Sequence, residues 1–242
     1  MNSKRGFTLI EVSLFLAITG LIFLGVTVGV SNSIAQQRNN DAVQSFAEFL
    51  RKVYSDVTNV QNNIGRGRSE TAIYGKLLTI TDGRKVELYN VIGDIDDSAG
   101  NNVIEALKAV NANIFDYSKK DAPVLAGMTE TFIPKWSSRI EDTELNTSYN
   151  GALLVVRHPN SGSIFTYVMR GTEVNVGSPS EDFLKKLLKD GKFKIEDADY
   201  CINPNGEGDY NNRFDVRVVS NARNASGIEV LSPDNNRNKC AK

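Results

Sequence analysis

Near its amino terminus the chain loses its charges. From Val12 to Val30 it reads VSLFLAITGLIFLGVTVGV, apolar all round a helix and without one Asp, Glu, Lys or Arg. At 1.5 Å per residue this run is roughly 29 Å long, close to the thickness of a bilayer's hydrocarbon core. Polar residues follow from Ser31 to Asp41, and then apolar positions return at spacings of three and four. Val43, Phe46, Ala47, Leu50, Val53, Tyr54, Val57 and Val60 form one stripe, with Arg38, Glu48, Arg51, Lys52 and Asp56 outside it. That pattern predicts an amphipathic helix with its stripe in a core. Asn59, Gln61, Asn62, Asn63 and Gly65 predict its stop. A helix from Phe7 to about Gln61 would be roughly 80 Å long if unbroken.

Beyond Gly65 the period changes to that of strands. Lys76 to Ile80 and Lys85 to Val91 flank Thr81-Asp82-Gly83-Arg84, whose central Asp-Gly pair is a two-residue hairpin signal. Gly151 to Arg157 and Ile164 to Arg170 predict a second hairpin across His158-Pro159-Asn160-Ser161-Gly162. Phe214 to Val219 and Ile228 to Leu231 predict a third, across Asn221 to Gly227. Two short helices are expected, Val103 to Val110 and Glu181 to Lys189, the second with Ser180 as N-cap. Hairpins imply an antiparallel sheet. The expected fold is therefore α+β, a long amino-terminal helix whose amphipathic half packs on an antiparallel β-sheet head.

Composition narrows the chemistry. The 242 residues hold 28 Lys plus Arg against 29 Asp plus Glu, and so near a balance argues against a nucleic-acid coat. One His and two Cys cannot build the usual zinc or iron–sulfur sites unless carboxylates fill in. Lys4 and Arg5 precede the apolar run, which places the amino terminus in the cytoplasm and everything after Ser31 outside. No second run of this kind follows, so a single crossing is expected.

Glu11 is the anomaly. A carboxylate at the edge of an apolar span costs on the order of 3 kcal/mol at bilayer depth, less near the interface, and marks function. Lys4 and Arg5 are the nearest cations. A cut after Gly6 would create another, the amino group of Phe7, about one helical turn from Glu11 and within reach of a neighbour's Glu11. The run Arg5-Gly6-Phe7-Thr8-Leu9-Ile10-Glu11, with the apolar stretch behind it, resembles the class III signal of type IV pilins and type II secretion pseudopilins. The resemblance covers about the first tenth of the chain and the helix after it.

That resemblance implies that a prepilin peptidase cuts between Gly6 and Phe7 and N-methylates Phe7. It implies that Glu11 pairs with the terminal amine of an adjacent subunit, and that Thr8 stands beside that terminus. The implied organisation is a leader over 1–6, a pilin helix over 7–64 with 12–30 in the membrane, and a head over 65–242. The implied partners are the peptidase, other pilin subunits, a membrane assembly platform and, before assembly, membrane lipid. The implied location is the cell membrane and then an extracellular or periplasmic filament. Major pilins often carry a Pro near the position of Val28, which this chain lacks; Gly20, Gly25 and Gly29 weaken the helix instead, or let helices pack closely.

Cys201 and Cys240 both fall in the exported part. A bond between them would close a loop of about 40 residues, contribute roughly 4 kcal/mol and pin the polar tail from Ser232 to Asn238. Two free thiols are the alternative, disfavoured in an oxidising compartment. The bond also resembles the C-terminal disulfide-bounded region of many pilins, here 201–240.

Other chemistry is sparse. Asp94, Asp96, Ser98, Asn102 and Glu105 stand at positions of a calcium loop, but Ala99 occupies the place that needs Gly. A solvated turn capping the next helix is the preferred reading, and no cofactor is expected. His158 sits in a turn, Glu207 and Asp209 in Gly-Asn-rich sequence, and no nucleophile elbow or phosphate loop is present. Lys185, Lys186, Lys189, Lys192 and Lys194 read as a solvated face rather than a nucleic-acid site, and Trp136 as core or contact equally. The chain is therefore not expected to be an enzyme. Two classes remain: a structural, minor subunit of a type IV pilus or pseudopilus, and a membrane-anchored extracytoplasmic binding module that never polymerises. Whether such a filament serves motility, secretion, DNA uptake or adhesion is not written in the residues.

Overall fold

A helix, α1, runs from Leu9–Thr58, and among the described residues ten strands follow it in two antiparallel sheets. The computed structural model describes residues 8–59, 73–92, 113–114, 130–143, 147–157, 162–171, 193–203, 213–220 and 222–240. The two short helices expected over 103–110 and 181–189 lie outside these residues. So do the calcium-like loop, Lys185, Lys186, Lys189, Lys192, His158, Glu207 and Asp209. The chain divides into two units, Met1–Asp41 and Ala42–Lys242.

In the first unit the apolar half of α1 has its side chains exposed, Leu14, Phe15, Leu21 and Phe23 among them. Among the described residues α1 is the one helix long and apolar enough to cross a membrane, and none of its most apolar stretch is buried within the chain. Water is a poor solvent for such a surface, whereas lipid leaves it satisfied.

The second unit begins where the period-3.6 stripe begins. Val43, Phe46, Ala47, Leu50, Val53, Tyr54 and Val57 are all at most 1 % exposed, as the spacing predicts, and Ala42 and Phe49 widen the stripe. Each of its Val, Leu and Phe side chains contributes about 1.5–3 kcal/mol by leaving water. Phe49 stacks on Phe132 at 4.8 Å, and Phe46 meets the ring of Tyr200 edge-on at 5.5 Å. The Tyr54 hydroxyl shares a 2.6 Å hydrogen bond with Thr166, and the Thr166 hydroxyl donates to the carbonyl of Ala222. After Thr58 the Asn59 N–H closes on Ser55, and the Arg157 guanidinium donates to the Thr58 carbonyl, a cation at a helix carboxyl end.

The first sheet has the order β3 (Asn113–Ile114), β2 (Lys85–Ile92), β1 (Ile73–Thr81), β6 (Gly151–Arg157), β7 (Ile164–Arg170), with β4 (Glu130–Phe132) also on β2. The second has the order β10 (Ile228–Leu231), β9 (Phe214–Val218), β8 (Ala198–Asn203), β5 (Arg139–Glu141). All three predicted hairpins are present: β1 with β2, β6 with β7, and β9 with β10. β3, β4, β5 and β8 were not expected. The first three are too short to show a period, whereas β8 carries a legible alternation. Its Ala198, Tyr200 and Ile202 join the core with the helix stripe, and Asp199, Cys201 and Asn203 face the other way. Lys194 pairs its backbone with Val168 on the outer edge of β7. Trp136 is half exposed in a turn where it and Ser137 both take positive φ, so it is not core.

Gly83 fixes how the first hairpin meets the second sheet. Asp82 and Gly83 both take positive φ, as a primed hairpin turn requires, and Arg84 N–H donates to the Thr81 carbonyl. Gly83 N–H donates to Tyr149 O, while its own carbonyl accepts from Ile140 N–H of β5. A Cβ here would lie 2.0 Å from the Ile140 carbonyl oxygen. Gly83→Ala is therefore expected to lower stability by about 3 kcal/mol or more, read as a fall in the urea midpoint. A loss below about 1 kcal/mol would show that this junction gives way easily.

Candidate functional sites at the amino terminus and the C-terminal disulfide

The amino-terminal site is built on the first turn of α1. Gly6 and Phe7 lie outside the described residues, so the structure speaks for Thr8 and Glu11. Thr8 precedes the helix, and Glu11 is its third residue. The Thr8 N–H donates to Glu11 Oε2 at 2.9 Å, and the Thr8 hydroxyl donates to the same oxygen at 3.0 Å. The Glu11 N–H in turn faces Thr8 Oγ1 at 3.3 Å. This is a reciprocal capping box, which satisfies two donors that a helix start leaves open. Its sequence signal is Thr-x-x-Glu ahead of an apolar run, here Thr8-Leu9-Ile10-Glu11. Glu11 also sits at the positive end of the helix dipole, where negative charge is favoured.

Residues 1–27 match the family model of the prokaryotic N-terminal methylation motif. The segment is the class III prepilin signal, consistent with a type IV pilin or pseudopilin. The match covers the leader region and most of the apolar run and stops short of the amphipathic half. No curated protein and no solved structure matches the chain. With this signal ahead of an apolar helix, the chain has the character of a membrane-anchored, pilin-like precursor, and the motif points to a structural protein. The long helix with two antiparallel sheets is an α+β, pilin-like architecture.

The C-terminal site stands by itself in the second unit. Cys201 of β8 is bonded to Cys240, with 5.4 Å between their Cα atoms. The polar face of β8 lies beneath the tail and carries charges that should be costly to bury. Asp199 is held by Arg217 Nε at 2.5 Å, across the β8–β9 ladder, and by Lys239 Nζ at 2.7 Å, from the tail. Asp215 is fully buried but less well served: Arg217 Nη2 stands at 3.3 Å and the Lys239 N–H at 3.4 Å. On the same sheet Arg213, fully buried, pairs with Glu141 at 2.7 Å, and Asn203 donates to Glu141 Oε1.

Two neighbouring carboxylates so unequally paired titrate apart. Burial opposes ionisation of Asp199, but hydrogen bonds from Lys239 and Arg217 outweigh it and hold its carboxyl below the usual range. Burial pushes Asp215 up to about 7, and the charge of Asp199 adds to the rise. None of these four residues stood out in the sequence. For Asp199, Asp215 and Arg217 the signal was the alternation of polar with apolar residues along Asp199 to Asn203 and Asp215 to Val218; Lys239 carries none. Among the described residues no group of three or more His, Cys, Asp or Glu side chains could hold a metal ion.

The raised Asp215 makes stability depend on pH. Its contribution is full below the ordinary carboxylate value and is lost as pH rises through about 7. Asp199 works in the opposite direction, but only where pH falls below the usual carboxylate range. The thermal midpoint should therefore fall between mildly acidic and mildly alkaline solution, by on the order of 2 kcal/mol of stability. Asp215→Asn should flatten that slope; an unchanged slope would place the titration elsewhere. Replacing both cysteines, Cys201→Ser with Cys240→Ser, should cost about 4 kcal/mol by urea titration.

Proposed function

We propose that the chain is a subunit, of the minor class, of a type IV pilus or a related pseudopilus. In this reading a prepilin peptidase cuts between Gly6 and Phe7 and N-methylates the new terminus. The apolar half of α1 then leaves lipid and packs among the same helices of other subunits on a membrane assembly platform. The second unit, which carries the disulfide-bounded region 201–240, is exported. The observation that carries the reading is Glu11, a carboxylate within the methylation motif and at the threshold of a membrane-length apolar helix.

The mechanism is electrostatic and mechanical. In lipid the Glu11 carboxylate is supported by Thr8, which supplies hydrogen bonds but no charge. An amine at Phe7 of a neighbouring subunit supplies the missing positive charge. Pairing the two in a low-dielectric helix bundle is worth more than pairing them in water, and it fixes the axial register of neighbours. The minor class is favoured by the size of the head and by the lack of a Pro within the apolar run.

Glu11→Ala tests the pairing in cells that make the filament. The variant should be processed and inserted in the membrane at normal levels, while its share in sheared filaments falls about tenfold or more. Wild-type incorporation of Glu11→Ala contradicts the pairing. A protein found only in membranes, whichever residue stands at 11, favours the anchored binding module.

A further inference from the structure

The tail after β10 is tied to β8 by two neighbouring links, one covalent and one ionic. Lys239 bonds Asp199, and the next residue, Cys240, bonds Cys201, which lies two positions along the same strand face. Asn238 sets the turn that aims both. Its side-chain amide reaches the carbonyls of Arg213, Leu231 and Ser232, and its Oδ1 accepts the Cys240 N–H at 2.7 Å. Arg217 holds the tail from the other side by donating to the Arg237 carbonyl.

We propose that the Lys239–Asp199 ion pair is the positioning device for this disulfide, seating the tail so that Cys240 meets Cys201 before the sulfurs are joined. The charge count supports it. Asp199 and Asp215 lie together on the sheet, and among the described residues the cations bonded to them are Arg217, from β9, and Lys239, from the tail. With the tail away, Asp199 keeps Arg217 on Oδ1 but its Oδ2 loses the Lys239 ammonium, and that open carboxylate oxygen draws Lys239 back. The side chain of Lys239 is itself half exposed, so it reaches its partner from solvent without a second buried cation.

Disulfide exchange with oxidised glutathione, as oxidant, then has a defined order. Cys201 stays in the β8–β9 ladder while Cys240 leaves with the open tail, so the Cys240 thiolate attacks a glutathione sulfur first, forming a mixed disulfide and releasing one glutathione thiolate. The tail seats, Lys239 meets Asp199, and the Cys201 thiolate attacks the Cys240 sulfur and expels the second glutathione. The two cysteines lose two electrons and two protons, which the two departing glutathione thiols carry. This assignment does not depend on the filament reading.

The test is the exchange equilibrium of the full chain in detergent micelles, in glutathione buffers at neutral pH, with the bonded fraction read by mass after acid quenching. Lys239→Gln should lower the equilibrium constant about tenfold, the scale of a lost charge-assisted bond to a buried carboxylate, and Lys239→Arg should restore most of it. A Lys239→Gln constant within about twofold of wild type overturns the proposal, as does Lys239→Arg behaving like Lys239→Gln, since packing alone would then seat the tail.

Discussion

A carboxylate cannot rest alone in hydrocarbon, and that constraint organises the amino-terminal third of this protein. Glu11 stands at the threshold of an apolar run as long as a bilayer core is thick, and its charge is too costly there to be incidental. The capping box with Thr8 reduces the cost by giving one carboxylate oxygen two donors and by tying it to the positive end of the helix. It leaves the charge itself uncompensated. In the filament proposed above, a partner cation delivered at assembly would complete the arrangement.

The same residues that make α1 suit lipid in one half make it suit a sheet in the other. The change from an all-round apolar surface to a single stripe comes at the polar stretch ending in Asp41, where the two units also divide. Past that point the helix supplies one side of a core whose other sides are the inner faces of both sheets. The outer face of the second sheet solves a different problem. It buries acids and an arginine under a tail that brings its own lysine, and a covalent bond keeps that tail in place. Burial of charge there is tolerable because Arg217 and Lys239 answer Asp199, while the less well paired Asp215 holds its proton up to about 7.

Much of this was legible in the residues, because the signals are periodic. The helix stripe from Val43 to Val57, the Asp82-Gly83 turn and the strand pair Gly151 to Arg157 with Ile164 to Arg170 each repeat a pattern that one kind of element needs. The disulfide followed from there being two cysteines beyond an export segment. What escaped was non-periodic or non-local. β4 and β5 are three residues each and exist because longer strands offer them an edge. The Asp199–Arg217–Asp215–Lys239 cluster gathers residues far apart in sequence, and only the register of β8 against β9 brings the acids together. Thr8 was expected beside the new terminus, but not its capping bonds to Glu11, although Thr-x-x-Glu is a local motif.

The claim on which the account rests is that Glu11 is answered by an amine freed at Phe7. Intact-mass and amino-terminal peptide analysis of the protein purified from its native membranes tests this most directly. The account predicts a chain that begins at a methylated Phe7 and lacks residues 1–6. A mature protein that keeps those residues, with Phe7 still in peptide linkage to Gly6, would contradict it.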